Sequence, residues 1–448
     1  MKVALAFFVV LCATLLIPLG HCNPLEFTNI IPISRRSLLN RRALEGDFDA
    51  TLARDEQQTV YQKYLNMFKI LNGTIPVPEN DIDDFVQSKY VDEVAPDTDT
   101  VLEQVVGPVD VSDVLLTIGM TDAIVNEVDM LYYGGLSIGT PGQELTFDID
   151  TGSADLWVPS PWCGTKNHYD SSQSSTYADQ GRRFAVSYAS GTVYGTTASD
   201  TVMIAGTAIQ NQTFGIVYRE SQDFQAYPND GLLGMAFGTI AHSRGLTVFE
   251  TMMKQGKLKW PCFSVHLTRA QHAGSELCWG CFDPTKATGP INWFPVSRRA
   301  YWSIAMSGFD VAGERTTFDE MVISAIDTGT TFCYFPEPVA AEIYAQIPGS
   351  KDASATYGSG FYTYPCTSQV DIGFVFGDVT FRLHPGDFNL GMSMYNPAEC
   401  LGGIFAMDAA QWPPNLAIIG DEFLKSWYSV YDYSDGGRVG FAPSVNNQ

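Results

Sequence analysis

Phe147-Asp148-Ile149-Asp150-Thr151-Gly152-Ser153 and Ala325-Ile326-Asp327-Thr328-Gly329-Thr330 are one pattern written twice, with the second Asp-Thr-Gly 177 residues after the first. Each Asp closes an apolar run, Leu145–Ile149 in one case and Met321–Ile326 in the other. Each run reads as a buried strand entering a tight glycine turn. One Asp-Thr-Gly is a poor signal, because a turn in any β protein can contain it. Two copies on apolar strands, one in each half of the chain, predict two similar lobes that bring two carboxylates to one shared site. Paired carboxyls resist joint ionisation, so like-charge repulsion leaves one proton between them. One member then serves as a base toward water. The other is an acid that donates to a carbonyl oxygen or a leaving nitrogen. The flanking glycines let backbone N–H groups approach, and the Thr and Ser hydroxyls can fix the carboxyl orientation.

A weak internal repeat extends the pattern. Leu232-Leu233-Gly234 ends 84 residues after Asp150, and Ile418-Ile419-Gly420 ends 93 residues after Asp327. A glycine there permits close approach of two backbones. From about Leu131 the chain is dense in short strands punctuated by Gly, Asn and Asp, such as Phe184–Tyr188, Thr213–Tyr218 and Cys262–Leu267. Few helices suggest themselves: Thr247–Lys254, and Pro338–Gln346 with its proline in the first turn. The expected class is all-β, two lobes around a central cleft.

The 448 residues carry a net charge of −24, which excludes nucleic-acid binding through clustered Lys and Arg and leaves no polybasic membrane patch. A surface rich in carboxylates sheds charge in acid and can stay compact there. Residues 1–22 read as a signal peptide, with Lys2, an apolar run from Val3 to Pro18, and small Gly20 and Cys22 before the cut. The alternative, an uncleaved anchor, lacks a charged stop-transfer pattern. The polar end, Ser444–Gln448, carries no lipid-anchor tail. A soluble, secreted monomer is expected, with a vacuolar or lysosome-like lumen as the alternative.

Residues 23–120 differ from the rest. Two dibasic pairs, Arg35-Arg36 and Arg41-Arg42, precede a helical stretch from Phe48 to Leu71. Glu79–Asp113 then holds eleven acidic residues and one basic one, Lys89, and reads as solvated and flexible. The whole reads as a pro-segment with an acidic linker; the alternative is a disordered tail with no inhibitory role. Asn72 and Asn211 begin glycosylation sequons. Signal removal leaves seven cysteines, an odd number, so at least one thiol is free or bonded between molecules. Cys278 and Cys281 have a C-x-x-C spacing, but no second ligand pair supports zinc. No metal and no cofactor are expected.

At this point a resemblance becomes specific. Tyr133–Gln143 and Phe147–Ser160 resemble the N-lobe signature of pepsin-like aspartic endopeptidases, fungal type. Val186-Ser-Tyr-Ala-Ser-Gly191 resembles the flap, and Asp230–Phe237 the second N-lobe motif. Tyr301–Ile304, Ala325–Thr331, Ile418–Leu424 and Arg438–Pro443 follow in the family's order. The resemblance covers about residues 131 to 443. It implies an N-terminal catalytic lobe at 131–298 and a C-terminal one at 299–448.

It also implies roles. Asp150 and Asp327 hold the lytic water. Ser153 and Thr330 bond the outer carboxylate oxygens beside Gly152 and Gly329. Thr151 and Thr328 brace one turn against the other. Tyr188 sits near the flap tip with Ser190 and Gly191, hydrogen-bonded by Trp157. Leu232 and Phe224 line the pocket for the residue before the scissile bond, which favours bulky hydrophobic residues in protein and peptide substrates. Asp148 shares a strand face with Asp150; it shapes that pocket or shifts the pair's pKa, or is simply solvated. Cys366 and Cys400 match the C-lobe disulfide, while Cys163 sits in the N-lobe loop without a close partner. The pro-segment is the enzyme's own inhibitor in such relatives, often through a Lys between the carboxylates; Lys63 and Lys69 are the candidates. The departure at Ala189, where the flap usually has Gly, restricts its backbone. The rival reading is a catalytically inactive pepsin-fold binding or inhibitor protein. Such relatives lose a catalytic Asp, a supporting hydroxyl or the flap Tyr, and all are present here.

Overall fold

The computed structural model describes residue 48, residues 50–71, positions 82, 86 and 89, and residues 115–446 apart from 126, 165, 189, 190, 409 and 411. Strands dominate. The first half supplies β1 (Thr117–Val125), β2 (Val128–Ile138), β3 (Gln143–Asp150), β4 (Leu156–Pro159), β5 (Ala178–Tyr188), β6 (Gly191–Ile204), β7 (Thr207–Glu220), β8 (Gly231–Gly234), β9 (Cys262–His266), β10 (Ser275–Trp279) and β11 (Asn292–Pro295). The second half supplies β12 (Ser303–Val311), β13 (Glu314–Ile326), β14 (Cys333–Pro336), β15 (Lys351–Asp352), β16 (Tyr362–Pro365), β17 (Ile372–Phe376), β18 (Val379–Arg382), β19 (Asn389–Ser393), β20 (Asn396–Gly402), β21 (Ile404–Met407), β22 (Leu416–Ile419), β23 (Trp427–Asp432) and β24 (Arg438–Pro443). They form three sheets of thirteen, seven and four strands.

The repeat read from sequence is a repeat of strand pairing. β3 runs parallel to β8, with Ile149 opposite Leu233 and Asp150 opposite Gly234. β13 runs parallel to β22, with Ala325 opposite Ile418 and Ile326 opposite Ile419. In each half the next strand, β4 or β14, pairs antiparallel with the same partner. The glycines are required by crowding. A Cβ on Gly234 would stand 2.5 Å from the Asp155 nitrogen, and one on Gly420 would stand 2.3 Å from the Thr330 carbonyl oxygen. The seven-stranded sheet, in the order β18-β17-β12-β13-β22-β14-β21, carries the second Asp-Thr-Gly turn. The thirteen-stranded sheet carries the first, and it also takes in β23 and β24 from the end of the chain.

Helices are few and local logic explains them. α1 (Ala50–Leu71) buries Leu52, Ala53, Val60, Tyr64, Met67 and Ile70, a helical spacing that sets one face against the protein. α2 (Gln222–Ala226) is one turn. α3 (Val248–Lys254) opens with a capping box between Thr247 and Glu250. α4 (Glu337–Ala345) has proline in its first turn.

Two sequence expectations need correction or completion. The acidic tract was expected to be solvated; its described positions Ile82 and Val86 are helical and buried in the main core, at 3% and 4% exposure. Their spacing of four puts both on one helix face, so an apolar ridge docks even where the composition is acidic. Among the described residues, Cys278–Cys281 and Cys366–Cys400 are disulfides. Among the described residues Cys262 and Cys333 are buried free thiols.

Candidate active site

The ends of β3 and β13 bring Asp150 and Asp327 together at the floor of a cleft, 2% and 0% exposed. Each turn treats its carboxyl alike. Gly152 N–H donates to Asp150 Oδ1 at 2.8 Å, and Gly329 N–H to Asp327 Oδ1 at 3.0 Å. Ser153 Oγ donates to Asp150 Oδ2 at 2.6 Å, and the Thr330 hydroxyl donates to Asp327 Oδ2. The two turns are locked to one another. Thr151 Oγ1 donates to the Ile326 carbonyl at 2.9 Å and accepts from Thr328 N–H at 3.0 Å. Thr328 Oγ1 donates to the Ile149 carbonyl at 2.6 Å and accepts from Thr151 N–H at 3.2 Å. Both carboxyls are therefore oriented by fixed donors and cannot swing apart without breaking buried hydrogen bonds.

α1 occupies this cleft. Lys63 Nζ lies 2.7 Å from Asp150 Oδ1 and 2.7 Å from Asp327 Oδ2, and the Tyr64 hydroxyl donates to Asp327 Oδ2 at 2.8 Å. Two turns earlier, Glu56 Oε1 accepts from Thr331 N–H at 2.6 Å and Phe332 N–H at 3.1 Å. Gln57 donates to the Ala406 carbonyl at 2.6 Å, and Arg54 Nε to that of Tyr357 at 2.9 Å. Tyr64 packs on Tyr301, Phe48 on Phe332, and Tyr61 on Trp412. A cavity of about 240 Å³ remains beside the helix, between Lys63, Ser153, Tyr188 and Tyr301.

Residues 131–444, which contain this site, match the model of the family described as eukaryotic aspartyl protease. The chain belongs to that family. It is 38% identical over 329 residues to an aspartic protease of Phaffia rhodozyma, covering 71% of this chain and 77% of the relative. It is 34% identical to pepsin A of Suncus murinus (71% and 82% covered) and 33% identical to cathepsin E of Mus musculus (73% and 83% covered). As an aspartyl protease it is an aspartic-type endopeptidase on a bilobal all-β fold.

The electrostatics split the pair of this aspartyl protease. Burial pushes Asp150 up to about 6, with Lys63 pulling back and Asp327 adding repulsion. Burial acts upward on Asp327 as well, but the Lys63 ammonium and the hydrogen bonds it receives hold it down at about 2. Sharing one proton between paired Asp carboxyls is the general description of aspartic proteases as a class, and this asymmetry is its form with an ammonium in the cleft. Lys63 is buried, yet the two carboxylates hold its pKa above the ordinary lysine value.

The flanking residues fall as follows. Tyr188 ends β5 opposite Gly191 on β6, and Val186, Ser187 and Tyr188 line the cavity beside Lys63. Ser190 and Ala189 lie outside the described residues, as does Asn72. Tyr188, Trp157, Phe224 and Leu232 share one buried cluster with Val186 and Val193. The Trp157 and Tyr188 rings sit 6.3 Å apart and tilted, and a side-chain hydrogen bond from Trp157 acts on the Tyr188 hydroxyl. Phe224 packs edge-on to both rings, at 5.2 and 5.8 Å between centroids, so the three rings form a triangle. Asp148 is not a solvated carboxylate. It is half-buried with Oδ1 sealed and unpartnered, and burial together with the Asp150 charge lifts it to about 8. Of the two candidate lysines, Lys63 reaches the carboxylates and Lys69 does not. Asn211 is exposed on β7. Among the described residues no acidic, His or Cys cluster is arranged to hold a metal, and no helix is long and apolar enough to cross a membrane.

Sequence reasoning missed Tyr64, Glu56 and Tyr301. Glu56 stood in view seven residues before Lys63, hence on the same helix face. Its target, the backbone after the second Asp-Thr-Gly, was not visible.

Proposed function

We propose that this chain is an acid endopeptidase made as a secreted zymogen, with Asp150 and Asp327 as the catalytic pair and α1 as its own inhibitor. The observation that carries this reading is Lys63, whose ammonium stands between the two carboxylates at 2.7 Å from each. A cation in that place fills the position of the lytic water and neutralises the base. Once α1 leaves, the ionised member takes a proton from water as its oxygen attacks the scissile carbonyl. The protonated member gives its proton to the carbonyl oxygen, and collapse of the tetrahedral adduct passes a proton to the leaving nitrogen. Ser153, Thr330 and the glycine N–H groups hold both carboxyls in line for these transfers. Tyr188 on the hairpin closes over the substrate. Trp157, Phe224 and Leu232 form an apolar pocket that prefers a bulky hydrophobic residue before the scissile bond, with Asp148 at its strand. Residues 23–120 act as pro-segment and linker after removal of residues 1–22.

The test is hydrolysis of a peptide with two central hydrophobic residues at about pH 4, near ordinary carboxyl pKa values. Purified precursor is compared with and without acid pre-incubation, alongside Asp150→Asn. Activity is expected after acid treatment only, with a loss of at least about 10³-fold in the variant. Folded, processed protein that cleaves nothing would sink the reading.

A further inference from the structure

Lys166 has no part in the site described above. It sits in the loop after β4, and its ammonium donates to the carbonyl of Phe224 and, at 2.5 Å, to that of Asn229. Both carbonyls belong to the segment between β7 and β8. That segment begins with α2, a five-residue helix whose N-cap, Ser221, makes no side-chain capping bond. So short a helix cannot hold itself, and its last carbonyls lack intrahelical partners. The Phe224 carbonyl is one of these, and a cation at a helix C-terminus is a favourable partner for it. The next residue, Asn167, reaches Asp230 Oδ2 at 3.4 Å, which also accepts from Thr146 N–H and Oγ1 at 2.9 Å each. The loop is thus stitched to both ends of the α2 segment.

What the stitch holds is the Phe224 ring, 4% exposed and packed edge-on against both Trp157 and Tyr188. Glu220, the last residue of β7, is buried beside it with both carboxyl oxygens unpartnered. Burial pushes that carboxyl up to about 7 against the pull of Lys166. In acid Glu220 is neutral, and the ammonium is left to the two carbonyls.

We propose that Lys166 is a positioning residue for substrate selection: by gripping the Phe224 carbonyl it fixes the ring that closes the pocket for the residue before the scissile bond. Lys166 touches no reacting atom. The inference rests on the pocket assignment made under the proposed function.

The experiment measures kcat/KM for three peptides identical except for Phe, Leu or Ala before the scissile bond, using acid-activated enzyme. Lys166→Met is expected to lower the Phe-to-Ala ratio by about tenfold, mostly through KM, the scale on which apolar pockets discriminate. Lys166→Arg, which can reach the same carbonyls, is expected to stay within about twofold of the parent. Phe224→Ala is the control on the pocket. If it lowers the ratio and Lys166→Met does not, the Lys166 role is overturned and the pocket stands. If neither changes the ratio, the pocket assignment falls and takes this inference with it. An equal loss on all three peptides marks Lys166 as merely structural and also overturns the proposal. Should Lys166→Met not fold, Lys166→Gln, with a single amide donor group, is expected to give an intermediate ratio, and a parental ratio there counts against the proposal.

Discussion

Gly329 and Gly152 set the tolerance of the site. A Cβ on Gly329 would lie 2.4 Å from Asp150 Oδ1, and one on Gly152 would lie 2.5 Å from Asp327 Oδ1. Each turn is packed against the other turn's carboxyl, so a methyl cannot enter without moving the opposite Asp. Gly329→Ala is expected to cost about 1–3 kcal/mol in urea unfolding and at least about a hundredfold in kcat, because small displacements of reacting groups are expensive. A variant with parental turnover would show that the pair is less tightly held than these contacts imply. At this scale the sequence was most informative where partners are close in the chain. Ser153 and Thr330 lie three residues from the carboxyls they bond, so their roles are legible from the turn itself. Asp148 was ambiguous because its burial depends on what covers the strand, and sequence does not carry that.

Among the elements, α1 was legible as a helix from its apolar period and its lysine's place at the carboxylates from the resemblance, while the contacts of the rest of its face were not. Its contacts lie up to 349 residues away, as between Gln57 and Ala406, and no local pattern encodes such a distance. Its hold on the cleft has a definite pH sense. Asp327 is depressed from 3.8 to about 2, so its contribution is present above the ordinary value and is lost as pH falls toward 2. Lys63 is raised, so its contribution persists through the acid and neutral range and is lost only in strong alkali. Of the catalytic pair, Asp327 alone loses its contribution in acid, since Asp150 is raised to about 6 and contributes with the opposite sign. Lys63→Met removes the cation while keeping the stem, and the full-length precursor is expected to hydrolyse peptide at about pH 5 without acid pre-incubation. A variant as latent as the parent in a fluorogenic assay would show that the rest of α1 suffices.

In the molecule as a whole, the net charge of −24 pointed to acid tolerance through surface carboxylates, but the stronger effect is inside. Burial raises Asp148, Asp122 and Glu422 to about 8, and raises Asp421 well above its usual value. Each binds more protons folded than unfolded between the ordinary carboxyl value and its raised one. Stability therefore falls as pH climbs through that window. Melting temperature is expected to be highest near pH 4–5 and to fall by pH 8, with a loss on the order of several kcal/mol across the set. Calorimetry at three pH values decides this, and a flat profile would refute it. One buried cation, Lys425, pairs with one member of this set, Glu422. Lys425 Nζ lies 2.9 Å from Asp129 Oδ2, 3.2 Å from Asp387 Oδ1 and 2.8 Å from Glu422 Oε2. Lys425→Met leaves those carboxyls without their shared partner and is expected to cost about 3–5 kcal/mol at neutral pH. Equal stability of variant and parent at pH 7 would remove the network from the account. Glu422 lies three residues from Lys425, but Asp129 was not legible as a partner, because it stands 296 residues away. The bilobal plan was legible because it is written twice, whereas the join between the halves is written once. That join orders events in time. β23 pairs with the side of β9 that β10 leaves open, and β24 pairs with β11, so these two edges gain their neighbours only from residues 427–443. During synthesis the growing chain must carry β9 and β11 as open edges until its final stretch leaves the ribosome, so the first-made half is the last to be closed.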